Sequence, residues 1–129
     1  MTWFLDSSAI IKLIVEESES ESLRTFLPAS LFASRLSRLE VLRNVKRIDE
    51  KKLERARERL NGFSYVEINE HVIRNAEEIA VALDIKSLDA IQAGSALFIK
   101  DVIDGVISYD KNLNAALKKL GIKVISPGA

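Results

Sequence analysis

Apolar and polar positions fall along this chain in blocks that switch between strand-like and helix-like spacing. Trp3-Phe4-Leu5 is a short apolar run ended by Asp6-Ser7-Ser8, and Ile10, Ile11, Leu13, Ile14 and Val15 after it suit a largely buried helix. That is a strand feeding a helix. Past the acidic turn Glu16 to Glu21, Leu23, Phe26 and Leu27 begin a short helix for which Pro28 is the expected stop. Leu31-Phe32-Ala33 reads as a second strand, followed by Ser34 and a helix carrying Leu36, Leu39, Leu42 and Val45. A charged helix from Asp49 to Leu60 ends at Asn61-Gly62, and Tyr65 to Ile68 makes a third strand. Val72, Ile73, Ala76, Ile79, Ala80 and Leu83 form the stripe of a helix lying on a sheet. Another helix spans Ser87 to Ile99, with Ala90, Ala93, Gly94 and Leu97 on a small-residue face that permits close approach. Gly105 to Ser108 is a fourth strand, Lys111 to Leu120 a helix stopped by Gly121, and Ile122 to Ile125 a fifth strand. Near-continuous apolar strands alternating with helices predict an α/β fold, with a parallel sheet covered on both faces.

Composition narrows the chemistry. The 129 residues suit one domain spanning 1–129, and a 47% hydrophobic, 29% charged makeup is that of an ordinary globular protein. Cysteine is absent and His71 is the lone histidine, so thiolate nucleophiles, thiolate zinc sites and paired-histidine metal sites are excluded within one chain. His71 itself is expected at the surface. Apolar stretches such as Ile79 to Leu83 fall far short of the roughly 18 residues of a spanning helix. The start Met1-Thr2-Trp3-Phe4-Leu5-Asp6 has no early positive charge and places an acid where a signal peptide would be apolar, so a cytoplasmic protein with no membrane partner is expected.

Nineteen bases against nineteen acids conceal a segregation of charge. Between Arg35 and Arg59 lie ten bases and five acids. A basic stripe of this kind is the footprint of something that meets phosphates, and a helix with mixed signs at spacings of three and four is equally a solvated, self-paired surface.

In an open parallel sheet ligands bind outside the carboxyl ends of the strands, where the strand order reverses. Asp6 follows the first strand and Asp110 the fourth; Glu40 lies in the helix after the second, and Asp89 opens the helix before the fourth. Each acid alone has a structural explanation. Asp6 and Asp110 suit helix N-caps, Ser37-Arg38-Leu39-Glu40 spells a capping box, and Asp89 sits in a first turn favourable to an anion. All four at one rim is a different matter, because crowded carboxylates repel one another unless a cation neutralises them. A hard divalent ion with oxygen ligands, Mg²⁺ or Mn²⁺, is the natural occupant. Ser7, beside Asp6, either supports the acidic site or, as the favoured reading, caps the first helix, and Arg43, three residues after Glu40, either meets a phosphate, holds that glutamate in place or forms an ordinary intrahelical pair with it.

These segments resemble a known family. Phe4-Leu5-Asp6-Ser7-Ser8-Ala9, Ser37 to Arg43, Ser87-Leu88-Asp89-Ala90-Ile91 with Ala93 and Ala96, and Ser108-Tyr109-Asp110 are similar to the four signature segments of PIN-domain ribonucleases. Length and organisation resemble the VapC toxins of prokaryotic toxin-antitoxin pairs. The resemblance implies a sheet in the order 3-2-1-4-5, metal-dependent cleavage of RNA, inhibition by a small VapB-type antitoxin and usually a homodimer. It also implies that Asp6, Glu40, Asp89 and Asp110 form an acidic metal site supported by Ser108. One departure is Asn112, where some PIN nucleases carry a further acid. Two other readings stand beside the metal-dependent endoribonuclease. One is a catalytically silent RNA-binding or scaffold PIN domain. The other is a Mg²⁺-binding receiver-type signalling domain, which fits poorly because Asp6 has no adjacent acid and Asn69 follows the third strand.

Overall fold

The computed structural model describes residues 1–27 and 29–129; Pro28, the expected helix stop, lies outside them. Five strands, β1 (Thr2–Leu5), β2 (Ser30–Ser34), β3 (Ser64–Val66), β4 (Gly105–Ile107) and β5 (Val124–Ile125), form one sheet in the order β3-β2-β1-β4-β5, and every neighbouring pair is parallel. The helices are α1 (Ser7–Lys12), α2 (Ser20–Phe26), α3 (Arg35–Asp49), α4 (Leu53–Leu60), α5 (Glu70–Leu83), α6 (Ser87–Phe98) and α7 (Lys111–Lys119). The chain builds outward from β1 to β3, then returns to lay β4 on the other flank of β1. The ends of β1 and β4 are thus neighbours at the point where strand order reverses, and Phe4 pairs with Val106 and Leu5 with Ile107. The receiver-type reading fails on this order, since those domains run 2-1-3-4-5.

Strand periodicity divides the core in two. Successive side chains of a strand point to opposite faces, so Trp3 and Leu5 enter one apolar cluster and Phe4 the other. Ile107 and Val106 of β4 split in the same way. Ile10 of α1, Val41 and Val45 of α3 and Leu60 of α4 cover the first face; Val72 and Ile79 of α5, Ala93 of α6 and Leu117 of α7 cover the second. A sheet buried on both faces needs apolar strands throughout, which is why these read as unbroken runs.

Several local expectations are corrected. The helix carrying Leu36 continues to Asp49, and the charged stretch restarts only after a 3-10 turn at Glu50–Lys52. There the Asp49 carboxylate accepts from the Lys51 backbone N–H at 3.2 Å, a local bond that competes with the helical ladder. The capping box at Ser37 does not form. Ser34 caps α3 by accepting from Leu36 N–H at 3.2 Å, which leaves Ser37 inside the helix and buried. On the same helix Leu36, Val41 and Val45 face inward while Leu39 is 68% exposed. β3 stops at Val66 because it is an edge strand with one partner, and β5, at the other edge, is only two residues long. Among the described residues no helix is long and apolar enough to cross a membrane.

The small-residue face of α6 packs where expected. A Cβ placed on Gly94 would lie 2.9 Å from the Val72 carbonyl oxygen and 3.1 Å from Ala76 N, both backbone atoms of α5. Gly94→Ala gains about 1 kcal/mol of helix propensity and loses about 1 to 3 kcal/mol to overpacking. Thermal melts are expected to show a fall of a few degrees; an unchanged or raised melting temperature would mean that α5 yields without strain.

Candidate active site

The four acids arrive by four routes. Asp6 ends β1 and caps α1, accepting from Ala9 N–H at 3.0 Å, so a single side chain closes the strand and starts the helix. Asp110 does the same after β4, its Oδ1 accepting from the backbone N–H groups of Asn112 (2.9 Å) and Leu113 (3.1 Å) at the start of α7. Glu40 projects from the second turn of α3, and Asp89 from the first turn of α6. All four line one cavity of about 490 Å³ at the carboxyl edge of the sheet. Capping and convergence are therefore both true of Asp6 and Asp110.

Asp6 is 3% exposed. Its Oδ1 accepts from Ser8 Oγ at 2.6 Å and its Oδ2 from Ser108 Oγ at 2.7 Å. Burial pushes the Asp6 carboxyl up from the usual 3.8 to about 6, against the opposing pull of the Ser8, Ser108 and Ala9 donors, and the charge of Asp110 adds to the rise. Burial also raises Asp89, with repulsion from Asp110 and Glu40 as further causes and Lys86 opposing them. These mutual effects show that the acids share one electrostatic environment.

No side-chain ion pair offsets that repulsion directly. None of the four acids forms an ion pair among the described residues. Lys12 lines the cavity, yet its ammonium is held by Glu19 at 3.0 Å and Glu17 at 3.4 Å and sits 4.7 Å from the Tyr109 ring centre. One buried and three half-buried carboxylates without an ion-pair partner among the described residues are all-oxygen donors, the chemistry that suits Mg²⁺ or Mn²⁺. Among the described residues no three acids already stand as a ready-made ligand set, so holding an ion requires the side chains to close around it.

The supporting residues divide differently from expectation. Ser108 does brace Asp6, and its Oγ also accepts from Asp110 N–H at 3.1 Å, so one buried hydroxyl ties the two strand ends. Ser7 does not cap α1, a task Asp6 already fills; its Oγ donates to Glu40 Oε1 at 2.6 Å. Arg43 is exposed, makes no ion pair with Glu40 and does not line the cavity, whereas Asn44 does. His71 is exposed, as expected, with its ring 5.7 Å from that of Phe98.

Two residues of the site escaped sequence reasoning. Ser8 braces Asp6 and accepts from Tyr109 N–H at 2.9 Å. Gln92, buried on α6, donates from Nε2 to Glu40 Oε1 and to Ser37 Oγ, each at 2.9 Å, with Ser7 Oγ 3.2 Å from the same nitrogen. A signal existed for Gln92, because a lone amide amid Ala90, Ala93 and Gly94, one turn after Asp89, breaks an otherwise apolar face.

Relatives place this geometry. Over 98% of this chain and 97% of its own length, "Ribonuclease VapC47" of Mycobacterium tuberculosis is 36% identical, and "Ribonuclease VapC46" of the same species is 32% identical over 96% of each. Among solved structures, a toxin-antitoxin complex from Klebsiella pneumoniae superposes with a TM-score of 0.78 at 18% identity, covering 96% of both chains. Mycobacterium tuberculosis VapC20, a sarcin-ricin loop cleaving toxin, gives 0.77 at 18% identity over 97% of this chain and 99% of its own. At that identity the structural matches speak to the fold. The model of the PIN domain matches residues 3–119, and with that span and these sequence relatives, the chain belongs to the PIN domain family.

Proposed function

We propose that this protein is a metal-dependent endoribonuclease, the VapC-type toxin of a type II toxin-antitoxin pair, with residues 1–129 acting as one domain. The observation that carries the reading is the convergence of Asp6, Glu40, Asp89 and Asp110 on one cavity, none of them in an ion pair among the described residues. Sequence relatives named as VapC ribonucleases support it. The toxin-antitoxin complex among its structural relatives supports a VapB-type antitoxin as partner, and a homodimer in the cytoplasm completes the proposal.

Asp6, Asp89 and Asp110, with Glu40, would hold Mg²⁺ or Mn²⁺. When bound, such an ion neutralises phosphate charge and acidifies water, which unperturbed carboxylates cannot do alone. Hydrolysis joins a water oxygen to phosphorus and breaks the bond to the leaving ribose oxygen. Glu40 is the candidate to orient that water: Ser7 and Gln92 both bond its Oε1, and Oε2 accepts no hydrogen bond from the described residues. Ser108 and Ser8 fix Asp6 from both of its oxygens. Of the basic arm of α3 and α4, α3 flanks this cavity through Glu40, Asn44 and Ile48. Among the described residues the arm forms one ion pair, Arg57 to Glu54 at 3.7 Å, which favours phosphate contact over self-pairing.

The sarcin-ricin loop specificity of VapC20 makes a labelled RNA hairpin the first substrate to try. Cleavage with Mn²⁺ or Mg²⁺ that stops on adding EDTA is the expected outcome. RNA binding without cleavage in either metal would instead favour the silent scaffold.

A further inference from the structure

Gln92 occupies an unusual position for an amide. It is 4% exposed, lies on α6 one turn after Asp89 and lines the cavity. Its orientation follows from chemistry: an ionised Glu40 only accepts, so the group 2.9 Å from Glu40 Oε1 must be the NH₂. That choice leaves Gln92 Oε1 buried with no hydrogen-bond partner among the described residues. An orphaned acceptor destabilises the fold, and an apolar side chain of the same shape avoids that loss.

Packing therefore does not explain the amide, and its donor side does. We infer that Gln92 is a positioning residue for Glu40, an inference that rests on the nuclease reading above. Its NH₂ group and the Ser7 hydroxyl converge on Oε1 and lock the carboxylate in one rotamer. Ser37, buried within α3, takes the remaining donor capacity of the amide at 2.9 Å. The clamp joins α1, α3 and α6, the helices that carry or adjoin three of the four acids, and it leaves Oε2 free to act on water. Gln92 itself touches neither ion nor phosphate in this assignment.

Gln92→Met keeps the volume and removes donor and orphan acceptor together. Without metal the variant is expected to melt within a few degrees of the parent, the relief of the orphan acceptor offsetting the donor lost by Glu40 and Ser37, while kcat on the RNA hairpin falls about tenfold at unchanged KM. Following the melting temperature as Mn²⁺ is titrated gives a second readout, whose midpoint is expected to move upward severalfold because Glu40 is no longer held ready. Gln92→Asn, which keeps the amide but is one methylene too short to reach Glu40, is expected to repeat both changes and stands in if the methionine variant fails to fold. Unchanged kcat and unchanged Mn²⁺ midpoint overturn the inference, whatever the melting temperature does. A parent protein that responds to Mn²⁺ but cuts no RNA overturns the nuclease reading alone, and the midpoint then decides for Gln92.

Discussion

Without metal at pH 8, Asp6→Asn is expected to melt above the parent protein. The parent must bury a carboxylate that has three hydrogen-bond donors but no ion-pair partner among the described residues, and the charge of Asp110 adds to the cost of burial. Its carboxyl titrates at about 6 in the folded protein against 3.8 ordinarily, so the native state favours the protonated form. Stability from that preference is fully present below pH 3.8 and is lost as pH rises through about 6. The shift corresponds to a loss on the order of 3 kcal/mol in the parent, which the asparagine variant does not suffer. In melting temperature this is roughly 6 to 15 °C in favour of the variant at pH 8.

The advantage is expected to vanish near pH 4 and then to change sign slightly, because an amide NH₂ would face the Ser108 hydroxyl that now donates to Oδ2. Saturating Mn²⁺ reverses the order at pH 8, stabilising the parent through binding to the native state and leaving the variant nearly unmoved. Cleavage by the variant is expected to fall at least about a hundredfold, roughly 2.7 kcal/mol of barrier. Melts at pH 4 and pH 8, each with and without Mn²⁺, check the whole pattern. A variant that is less stable at both pH values and indifferent to metal would mean that Asp6 is a cap and nothing more.

Asp110 separates capping from chemistry by a different route. Both of its backbone contacts land on Oδ1, and asparagine caps a helix as well as aspartate does. Asp110→Asn is therefore expected to keep the metal-free stability of the parent while cleavage drops by roughly a hundredfold or more. Asp110→Ala loses the cap as well, about 1 kcal/mol, and its activity is expected to be no lower than that of the asparagine variant. Full activity in Asp110→Asn would remove this residue from the site and leave it as the first residue of α7's cap.

Much of this was legible in the chain before folding. Trp3-Phe4-Leu5 followed by Asp6 announces a buried strand that ends in a capped helix, because strand and helix periodicity are carried by near neighbours. The resemblance of four short segments to PIN ribonucleases supplied the strand order, which local pattern does not contain. Where sequence reasoning went astray, competing local bonds decided the outcome. Ser34 rather than Ser37 caps α3, and Asp49 captures Lys51 N–H, so the charged helix expected from Asp49 begins only at Leu53. Ser7 is the clearest instance: beside a strand end it spells a cap more readily than a support of the acidic site, yet Asp6 already holds the capping place and the hydroxyl reaches Glu40.

The sequence by itself determined the alternation of strands and helices, the absence of thiol and paired-histidine chemistry, and the placing of acids where strands stop. Those features depend on residue type and short spacing alone. Only the tertiary structure decided that Ser7, Ser37, Glu40 and Gln92 meet as one polar cluster, and that Asp6 shares its buried surroundings with Asp110. Their separations along the chain carry no periodic signal, because each meeting is set by which strands pair and by how closely helices pack on the sheet. The proton affinity of Asp6 follows from that packing, since the desolvation that raises it is produced by side chains from the whole molecule.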